Sequence, residues 1–403
     1  MNFILTRERL LADLYIAFED AARHKHKMAY VQKFEKDLKH NIDELCDELI
    51  DRRYEAQPSH CFVIDYPKKR EVFAAMFRDR IVHHLYFNYT HEMFERTFIA
   101  DSYSCIKGRG THYGINRLRQ HILKESQNWQ YPCYAMSLDI RGYFMHINRQ
   151  RLLEIATATI RKMANHKAFD GKTWAEVRDI DFLLWLTEQI VMLDPKNSCV
   201  IVGDKSDWDG LDHNKSLFWT NDGCGLPIGN LTSQLFSNVY LNEFDQFMKR
   251  TLKCRHYGRY VDDSFVVSAD REWMLSIVPQ IDQFLQDRLG LSLHRGKTHV
   301  VDVRQGVQFL GSFVKPYRTY ISNKTVARIK QTLRQLNIRD RQHASFSVNS
   351  YLGVLSHSSS YHLRQLIFLN SKVARVIDFD KDLLKSKPKR RKRSIYSNNF
   401  TNL

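Results

Sequence analysis

Apolar positions recur at helical spacing over residues 7–50. Leu10, Leu11, Leu14 and Phe18 form one stripe, and Leu38, Ile42, Leu45 and Leu49 form another after the basic stretch Arg23 to Lys27. Cys61 to Tyr66 alternates with a period of two and predicts a short strand, ended by Pro67 and the triplet Lys68-Lys69-Arg70. A helix is expected next, through Val72, Phe73, Met76, Phe77, Ile81, Leu85 and Phe87, with Arg78 and Arg80 on its polar side. Tyr131 to Leu138 reads as a strand that delivers Asp139 at its end. Residues 179–193 read as an apolar helix, and Leu231 to Leu252 as another. Between them, residues 195–224 carry Gly203, Gly210 and Gly223 among Asp, Asn and Ser, the composition of a long inserted loop, and such loops are often functional.

His256 to Val261 and Ser264 to Ser268 read as two strands around the pair Asp262-Asp263. Residues 272–290 then suit an amphipathic helix, 307–321 a β-hairpin and 324–384 further helices. No repeat with a period of about 20–50 residues is visible. The pattern predicts an α+β chain with a helical C-terminal part.

Charge narrows the class. Lys and Arg total 61 against 45 Asp and Glu, a formal net charge of +16. A compact protein that basic commonly meets a polyanion, nucleic acid or an anionic surface, with solubility alone as the plainer reading. No run of about 18 apolar residues is long enough to span a bilayer, so no membrane role is expected. The start, Met1 to Leu5 followed by Thr6 and Arg7, lacks the apolar run of a secretory signal. Seven cysteines without a CxxC pair argue against a disulfide framework or zinc module, and for a reducing, cytoplasmic setting.

The candidate chemistry lies in carboxylates at strand ends. Tyr260-Val261-Asp262-Asp263 sets two acidic side chains at a strand–turn–strand tip. Adjacent carboxylates in a confined site repel unless a cation neutralises them; a solvated acidic turn is the alternative. If the strand ending at Asp139 neighbours this hairpin, Asp139 and Asp262 can share two Mg²⁺ ions ~3.5–4 Å apart. The hard oxygen donors favour Mg²⁺, with Mn²⁺ as a substitute, over softer metals.

Seven blocks in order resemble the reverse transcriptases. Asp139 to Phe144 resembles their motif A. Gly225-Leu226-Pro227-Ile228-Gly229-Asn230-Leu231-Thr232-Ser233-Gln234 resembles motif B, and Tyr260 to Asp263 motif C. Leu293 to Thr298 is similar to motif D and Gln308 to Gly311 to the primer-grip motif E. Lys68 to Arg80 and Ser102 to Gly114 resemble the fingers blocks of bacterial, group II intron-like enzymes. The resemblance implies a right-hand polymerase fold, with a palm whose antiparallel sheet carries the Asp residues. It divides the chain into an N-terminal helical extension (1–58), fingers (59–134), palm (135–320, with the insertion around 195–224), helical thumb (321–384) and a basic flexible tail (385–403). That tail, rich in Lys and Arg from Lys385 to Arg393, reads as a polyanion arm; a nuclear localisation signal is the weaker reading.

The same resemblance implies roles for residues. Asp139, Asp262, Asp263 and the backbone of Ile140 are expected to bind metal. Lys297 is expected either to protonate pyrophosphate or to contact a phosphate backbone. Arg70, Arg78, Arg80, Lys107 and Arg109 are candidates for the dNTP triphosphate, since bidentate Arg suits phosphate. Arg80 serves equally well as an ion-pair partner of Asp79 or Glu71. Phe144 falls where the family places a steric gate against a ribose 2′-OH, with core packing as the alternative for it and Tyr143. Ile228 and Gly229 are expected beside the nascent base pair. Asn230 and Gln234, with Phe309, Leu310 and Gly311, are expected near primer and template. Lys324, Arg328, Lys330, Arg334, Arg339 and Arg341 are expected on the heteroduplex backbone.

Motif B narrows the resemblance. Ile228, where most of the family carries Gln, and Ser233-Gln234, where they carry Ser-Pro, are similar to the enzymes of diversity-generating retroelements, which copy template adenines with errors. Partners implied are a template RNA, the RNA–cDNA duplex, dNTPs and a small basic accessory protein that would also bring oligomerisation. The sequence equally fits a phage-defence reverse transcriptase with its own noncoding RNA. A non-catalytic RNA-binding scaffold is the reading from a different class. No set of carboxylates like that of RNase H follows motif E, and no HNH-type or zinc-bearing nuclease tail is visible.

Overall fold

The computed structural model describes residues 3–65, 68–169 and 171–389. Three helices, α1 (Arg7–Ala22), α2 (Ala29–Glu35) and α3 (Leu38–Ile50), precede strands β1 (Ser59–Ile64) and β2 (Arg70–Ala74). Helices α4 (Phe77–Glu95) and α5 (Thr111–Glu125) lead to β3 (Tyr134–Leu138). Then come α6 (Tyr143–His146), α7 (Arg149–Ala164), α8 (Ile180–Met192), β4 (Cys199–Ile201) and α9 (Leu231–Gln246). Strands β5 (His256–Tyr260) and β6 (Asp263–Ser268), helix α10 (Arg271–Phe284) and β7 (His299–Asp302) follow. The remainder comprises β8 (Val307–Phe309), β9 (Ser312–Lys315), β10 (Arg318–Ile321), α11 (Asn323–Gln335), α12 (Arg341–Ser356), α13 (Tyr361–Arg364), β11 (Ile377–Phe379) and β12 (Ser386–Pro388).

The chain forms two compact units, one of residues 1–114 and 136–300 and one of residues 115–135 and 301–403. In the first, the α1 stripe Leu10, Leu14 and Phe18 is buried, and Phe18 meets Phe77 of α4 edge-on at 6.0 Å. Tyr89 of α4 donates to Asp13 of α1 (2.7 Å), and Tyr54 donates to the buried Asp79 (2.9 Å). The N-terminal helices, read from the sequence as an extension, are thus part of this unit's core. β1 lies between an antiparallel β2 and a parallel β4. A second sheet has the order β5-β6-β3-β7, and its β5–β6 hairpin pairs Tyr260 with Asp263 across a two-residue turn.

Several elements differ from the sequence reading. Residues 70–74, read as the start of a helix, are strand β2: Val72 and Phe73 are stiff, β-favouring residues that pair with Phe62 and Cys61, and the helix begins at Phe77. The insertion is not structureless, because β4 and short 3₁₀ turns with Asp and Ser caps shape it. Residues 307–321 form three strands in the order β10-β9-β8 rather than one hairpin. Tyr66 and Pro67, expected to end β1, lie outside the described residues.

In the second unit, α11 and α12 bury Ile329, Leu333, Ala344, Val348, Leu352 and Leu355 in one cluster with Phe368, Val373 and Ile377. Lys324, Arg328, Lys330, Arg334 and Arg339 face solvent, while Arg341 donates to the Lys389 carbonyl (2.9 Å). The tail does not begin as a free arm at Lys385. β12 pairs antiparallel with β11, and the Ser386 carbonyl and amide bond Asn349. Residues 390–403 lie outside the described residues.

Candidate active site

The sheet order makes β3 and β6 neighbours, which answers the condition set by the sequence: the strand ending at Asp139 lies beside the strand beginning at Asp263. The turn between β5 and β6 is unusual. Val261 holds φ at +56°, a left-handed conformation that a β-branched residue adopts only where its surroundings enforce it. Its N–H donates to Ser104 Oγ (3.2 Å) and its carbonyl accepts from Arg259 Nη1 (2.9 Å). Both ends of the strained peptide are therefore fixed by side chains, and Asp262 follows it directly.

Those side chains belong to a buried polar network. Arg259, 1% exposed, donates Nε and Nη2 to the two oxygens of Asp245 of α9 (2.7 and 2.6 Å). Arg259 Nη1 and Ser104 Oγ both donate to Asn238 Oδ1 (3.2 and 2.8 Å), Asn238 Nδ2 donates to the Ser104 carbonyl (2.8 Å), and Tyr257 donates to Asp245 (2.7 Å). A buried charge pair is tolerated when its geometry is good and its remaining groups are satisfied, as they are here. None of Arg259, Asp245, Asn238 or Ser104 was legible as a site residue. The available signal was weak: an Arg in the short strand His256–Tyr260 and an Asp near the end of a helix that also carries Ser, Asn, Gln and Glu.

The three carboxylates feel one another. Burial, with the charge of Asp139 adding to it, pushes the Asp262 carboxyl above its ordinary value. Burial and the charges of Asp262 and Asp139 push Asp263 up to about 6. Asp263 is exposed to solvent at the turn, whereas Asp262 is half-buried. Lys297 Nζ donates to Asp139 Oδ2 (2.8 Å), and this hydrogen bond, with the same carboxylate's charge, raises the ammonium pKa. An antiparallel bridge between Ile140 and Leu293 brings Lys297 there, with the His294 N–H on the Asp139 carbonyl (2.8 Å).

Hard carboxylate oxygens, with Asp262 and Asp263 still raised despite the opposing charges of Lys297 and Lys68, are a donor set suited to a divalent cation. Among the described residues no three His, Cys, Asp or Glu side chains are drawn together as a formed metal centre, and the Lys297 ammonium stands at the Asp139 carboxylate. The donors are present, and a bound cation would have to displace Lys297 and draw them closer.

Around them, the Leu226 N–H donates to the Phe144 carbonyl (2.9 Å), and the Phe73 N–H of β2 donates to the Ile228 carbonyl (2.9 Å). Asn230 Oδ1 accepts from the Ala75 N–H (3.2 Å). Gly229 has φ +130°, and a Cβ there would lie 3.0 Å from the Phe73 carbonyl, so only glycine allows β2 this close. Phe144 and Ile228 both pack, half-buried, on the cluster of Cys61, Phe73, Met145 and Leu217. Tyr143 is buried and donates to the Ser237 carbonyl (2.6 Å), the core role weighed for it. Gln234 accepts from Cys105 Sγ (3.2 Å).

The basic candidates divide. Arg70 and Lys107 are exposed. Arg78 is committed to structure: it pairs with Glu48 and lies over the Tyr54 ring. Arg109 donates to the carbonyls of Ala100 (3.0 Å) and Ser102 (2.7 Å), holding its own loop. Arg80 donates to the Ala75 carbonyl (2.7 Å) and lies over Tyr30, rather than pairing with Asp79 or Glu71. Each of these three guanidinium groups thus has a local acceptor or ring in the structure. Phe309, Leu310 and Gly311 lie in the second unit, where Leu310 and Gly311, both at positive φ, form the turn between β8 and β9.

Residues 68–314, more than half of the chain, match the family described as reverse transcriptase (RNA-dependent DNA polymerase). The chain belongs to that family, whose members are nucleotidyltransferases with the right-hand polymerase fold. No curated protein matches the sequence. Among solved structures, the chain is similar to apo telomerase from Candida tropicalis truncated from its C-terminal domain. The identity is 10% and the TM-score 0.45, over 69% of this chain and 59% of that one. It is also similar to telomerase from Candida albicans in complex with a TWJ fragment of telomeric RNA, at 11% identity and TM-score 0.46, over 79% of this chain and 56% of that one. This chain thus spans less than two thirds of either. No helix among the described residues is long and apolar enough to cross a membrane.

Proposed function

We propose that this chain is an RNA-directed DNA polymerase that copies a dedicated RNA template into cDNA by two-metal nucleotidyl transfer. The observation that carries the reading is the neighbouring position of the strand ending at Asp139 and the Asp262-Asp263 hairpin in a chain of this family, with each of the hairpin carboxylates raised by burial and then by its neighbours' charge. Asp139, Asp262 and Asp263, with the Ile140 backbone, would hold Mg²⁺ or Mn²⁺, which supplies activation of the primer 3′-hydroxyl and neutralises the leaving pyrophosphate.

The chain's own residues do the rest. The Arg259–Asp245 network holds the acidic tip in one conformation before substrate arrives. Lys297, kept protonated by Asp139, carries a proton to the edge of the site and is placed to give it to pyrophosphate once Asp139 is otherwise engaged. Phe144 presents an aromatic face where a ribose 2′-OH would sit, which favours dNTPs. Arg70 and Lys107 are the exposed cations left for the triphosphate.

Motif B supports a finer reading, an error-prone enzyme of the diversity-generating type. Ile228 puts an apolar side chain where a hydrogen-bonding one would help position the incoming nucleotide, and weaker positioning lowers discrimination. A template RNA, an RNA–cDNA duplex, a small basic accessory protein and a cytoplasmic setting belong to this proposal.

The test is incorporation of dNTPs on an RNA template by the purified chain with Mg²⁺. Activity is expected in the wild type and lost in Asp262→Ala plus Asp263→Ala; activity that survives the double substitution overturns the site. Sequencing the RNA and cDNA that copurify separates the biological roles. cDNA carrying substitutions at template adenines supports diversification, and faithful cDNA of a noncoding RNA supports defence.

A further inference from the structure

The segment 195–224 has no role in the reading so far, yet it is fastened to the nucleotide pocket through one buried carboxylate. Glu71 of β2 is 1% exposed and has three donors, all from the insertion. Trp208 Nε1 (2.7 Å) and Ser216 Oγ (2.7 Å) reach Oε2, and the Leu217 N–H (2.6 Å) reaches Oε1. A buried carboxylate without a cation is costly, and charge-assisted bonds of this length are what offset that cost. Lys69, two residues before Glu71, adds a bond to the Asp209 carbonyl (2.7 Å). The insertion is thus held by four hydrogen bonds, three to Glu71 of β2 and one from Lys69 just before that strand.

What it delivers is apolar. Leu217, 1% exposed, completes the cluster of Cys61, Phe73 and Met145 on which both Phe144 and Ile228 pack, and Trp208 packs on the same cluster. The fit is close: a Cβ on Gly225 would lie 2.4 Å from Leu217 Cδ2 and 3.6 Å from the Met145 carbonyl, so the motif B loop, the insertion and Met145 share one packed volume. Interiors packed this way transmit the loss of a side chain to its neighbours.

We infer that the 195–224 insertion is the rear wall of the nucleotide pocket, and that Glu71 and Leu217 are positioning residues that set sugar and base selectivity by holding Phe144 and Ile228 in place. The inference rests on the polymerase reading. Neither residue touches a substrate; each acts through the two that would. Glu71 fixes the wall to β2, and β2 in turn bonds the Ile228 carbonyl through Phe73, so a loosened wall reaches both sides of the pocket at once.

The experiment measures dNTP and rNTP incorporation on an RNA template for the full chain and for Leu217→Ala, Leu217→Val and Glu71→Gln, together with hydrogen exchange of residues 195–224. Leu217→Ala is expected to lower the dNTP-over-rNTP preference by about tenfold, mostly through KM for dNTP, with Leu217→Val in between. Glu71→Gln keeps one acceptor oxygen of two, and is expected to speed exchange in 195–224 and shift the preference in the same direction. Variants that melt as the wild type does yet keep its preference and dNTP KM overturn the inference and leave the polymerase reading intact. A wild type that incorporates no dNTP overturns that reading and this one with it. If Leu217→Ala does not fold, Leu217→Val and Glu71→Gln decide the matter.

Discussion

Arg259 and Asp245 form a two-point ion pair with both side chains at 1% exposure or less, tying helix α9 to strand β5 of the hairpin that carries Asp262 and Asp263. The third guanidinium nitrogen is bonded to the carbonyl of Val261, the residue held at positive φ. Asp245→Asn leaves a buried guanidinium short of its counter-charge, which costs about 3 kcal/mol of stability. Arg259→Lys keeps the charge but loses the fork that reaches Asp245, Asn238 and Val261 together. That variant is expected to lose about 10²-fold in kcat through misplacement of the carboxylates, with the dNTP KM little changed. Thermal melts and steady-state kinetics check the pair of outcomes; a Lys variant with wild-type kcat would show that the network supports the fold and not the site.

The acidic tip was legible because its signal is local: two apolar strands around a polar turn, with Asp139 closing a third. Its support was not legible, since Arg259 meets Asp245 and Asn238 across 14 and 21 residues and Ser104 meets Asn238 across 134. Spacing along a chain carries no information about such pairings. β2 was hidden for another reason. Val72, Phe73, Met76 and Phe77 also fit a helical stripe, and only the pairing with β1 and the burial of Glu71 decide for a strand. Arg78, Arg80 and Arg109 looked alike in sequence because a charge seeking phosphate and a charge held by Glu48 or a carbonyl have the same letter.

Asp263 gives the chain a pH signature. Its carboxyl rises from 3.8 to about 6 on folding, through burial first and then the charges of Asp262 and Asp139. A raised carboxylate makes the folded state the better proton binder, so its contribution to stability is fully present below pH 3.8 and is lost as pH rises through about 6. A displacement of that size corresponds to about 3 kcal/mol, and solvent at the exposed tip screens it to about 1 kcal/mol. Asp263→Asn is therefore expected to raise the melting temperature of the metal-free protein at pH 8 and to leave it unchanged at pH 4. Added Mg²⁺ should stabilise the wild type at pH 8 more than the Asn variant. Melting curves at the two pH values, with and without Mg²⁺, provide the check, and a variant less stable than wild type at pH 8 contradicts the crowding of charge.

Ile228 tests the finer reading. Its carbonyl is fixed by the Phe73 N–H and its side chain packs on the cluster around Leu217, so a longer polar side chain extends from a backbone already in place. Ile228→Gln is expected to lower misincorporation opposite template adenine by about tenfold while changing incorporation opposite other bases less. Sequencing of cDNA made by both enzymes on one template gives the error spectrum, and an unchanged rate at adenine removes the support that motif B lends to error-prone synthesis.

In the proposed mechanism Lys297 and a bound metal would compete for Asp139, and that competition would have two readouts that move in opposite directions. Lys297 Nζ sits 2.8 Å from Asp139 Oδ2, and its side chain is more than half exposed. Removing the ammonium frees that carboxylate, so Lys297→Met is expected to bind Mn²⁺ several-fold more tightly, since like charge near a cation site weakens it. In the proposed mechanism the same substitution also removes the proton donor to pyrophosphate, so kcat is expected to fall by about 10²-fold, at the lower end of general acid catalysis. A basic limb of the pH–rate profile that arises from loss of the Lys297 proton, as the proposed mechanism requires, should vanish with it. Because the hydrogen bond to Asp139 raises the ammonium pKa, the wild-type limb should move to lower pH once metal occupies Asp139 and that bond is lost. Titration with Mn²⁺ and pH–rate profiles of the two proteins separate the roles. Tighter metal binding with an unchanged basic limb would assign Lys297 to the phosphate backbone, and weaker binding would show that it supports the carboxylates in place of competing for one.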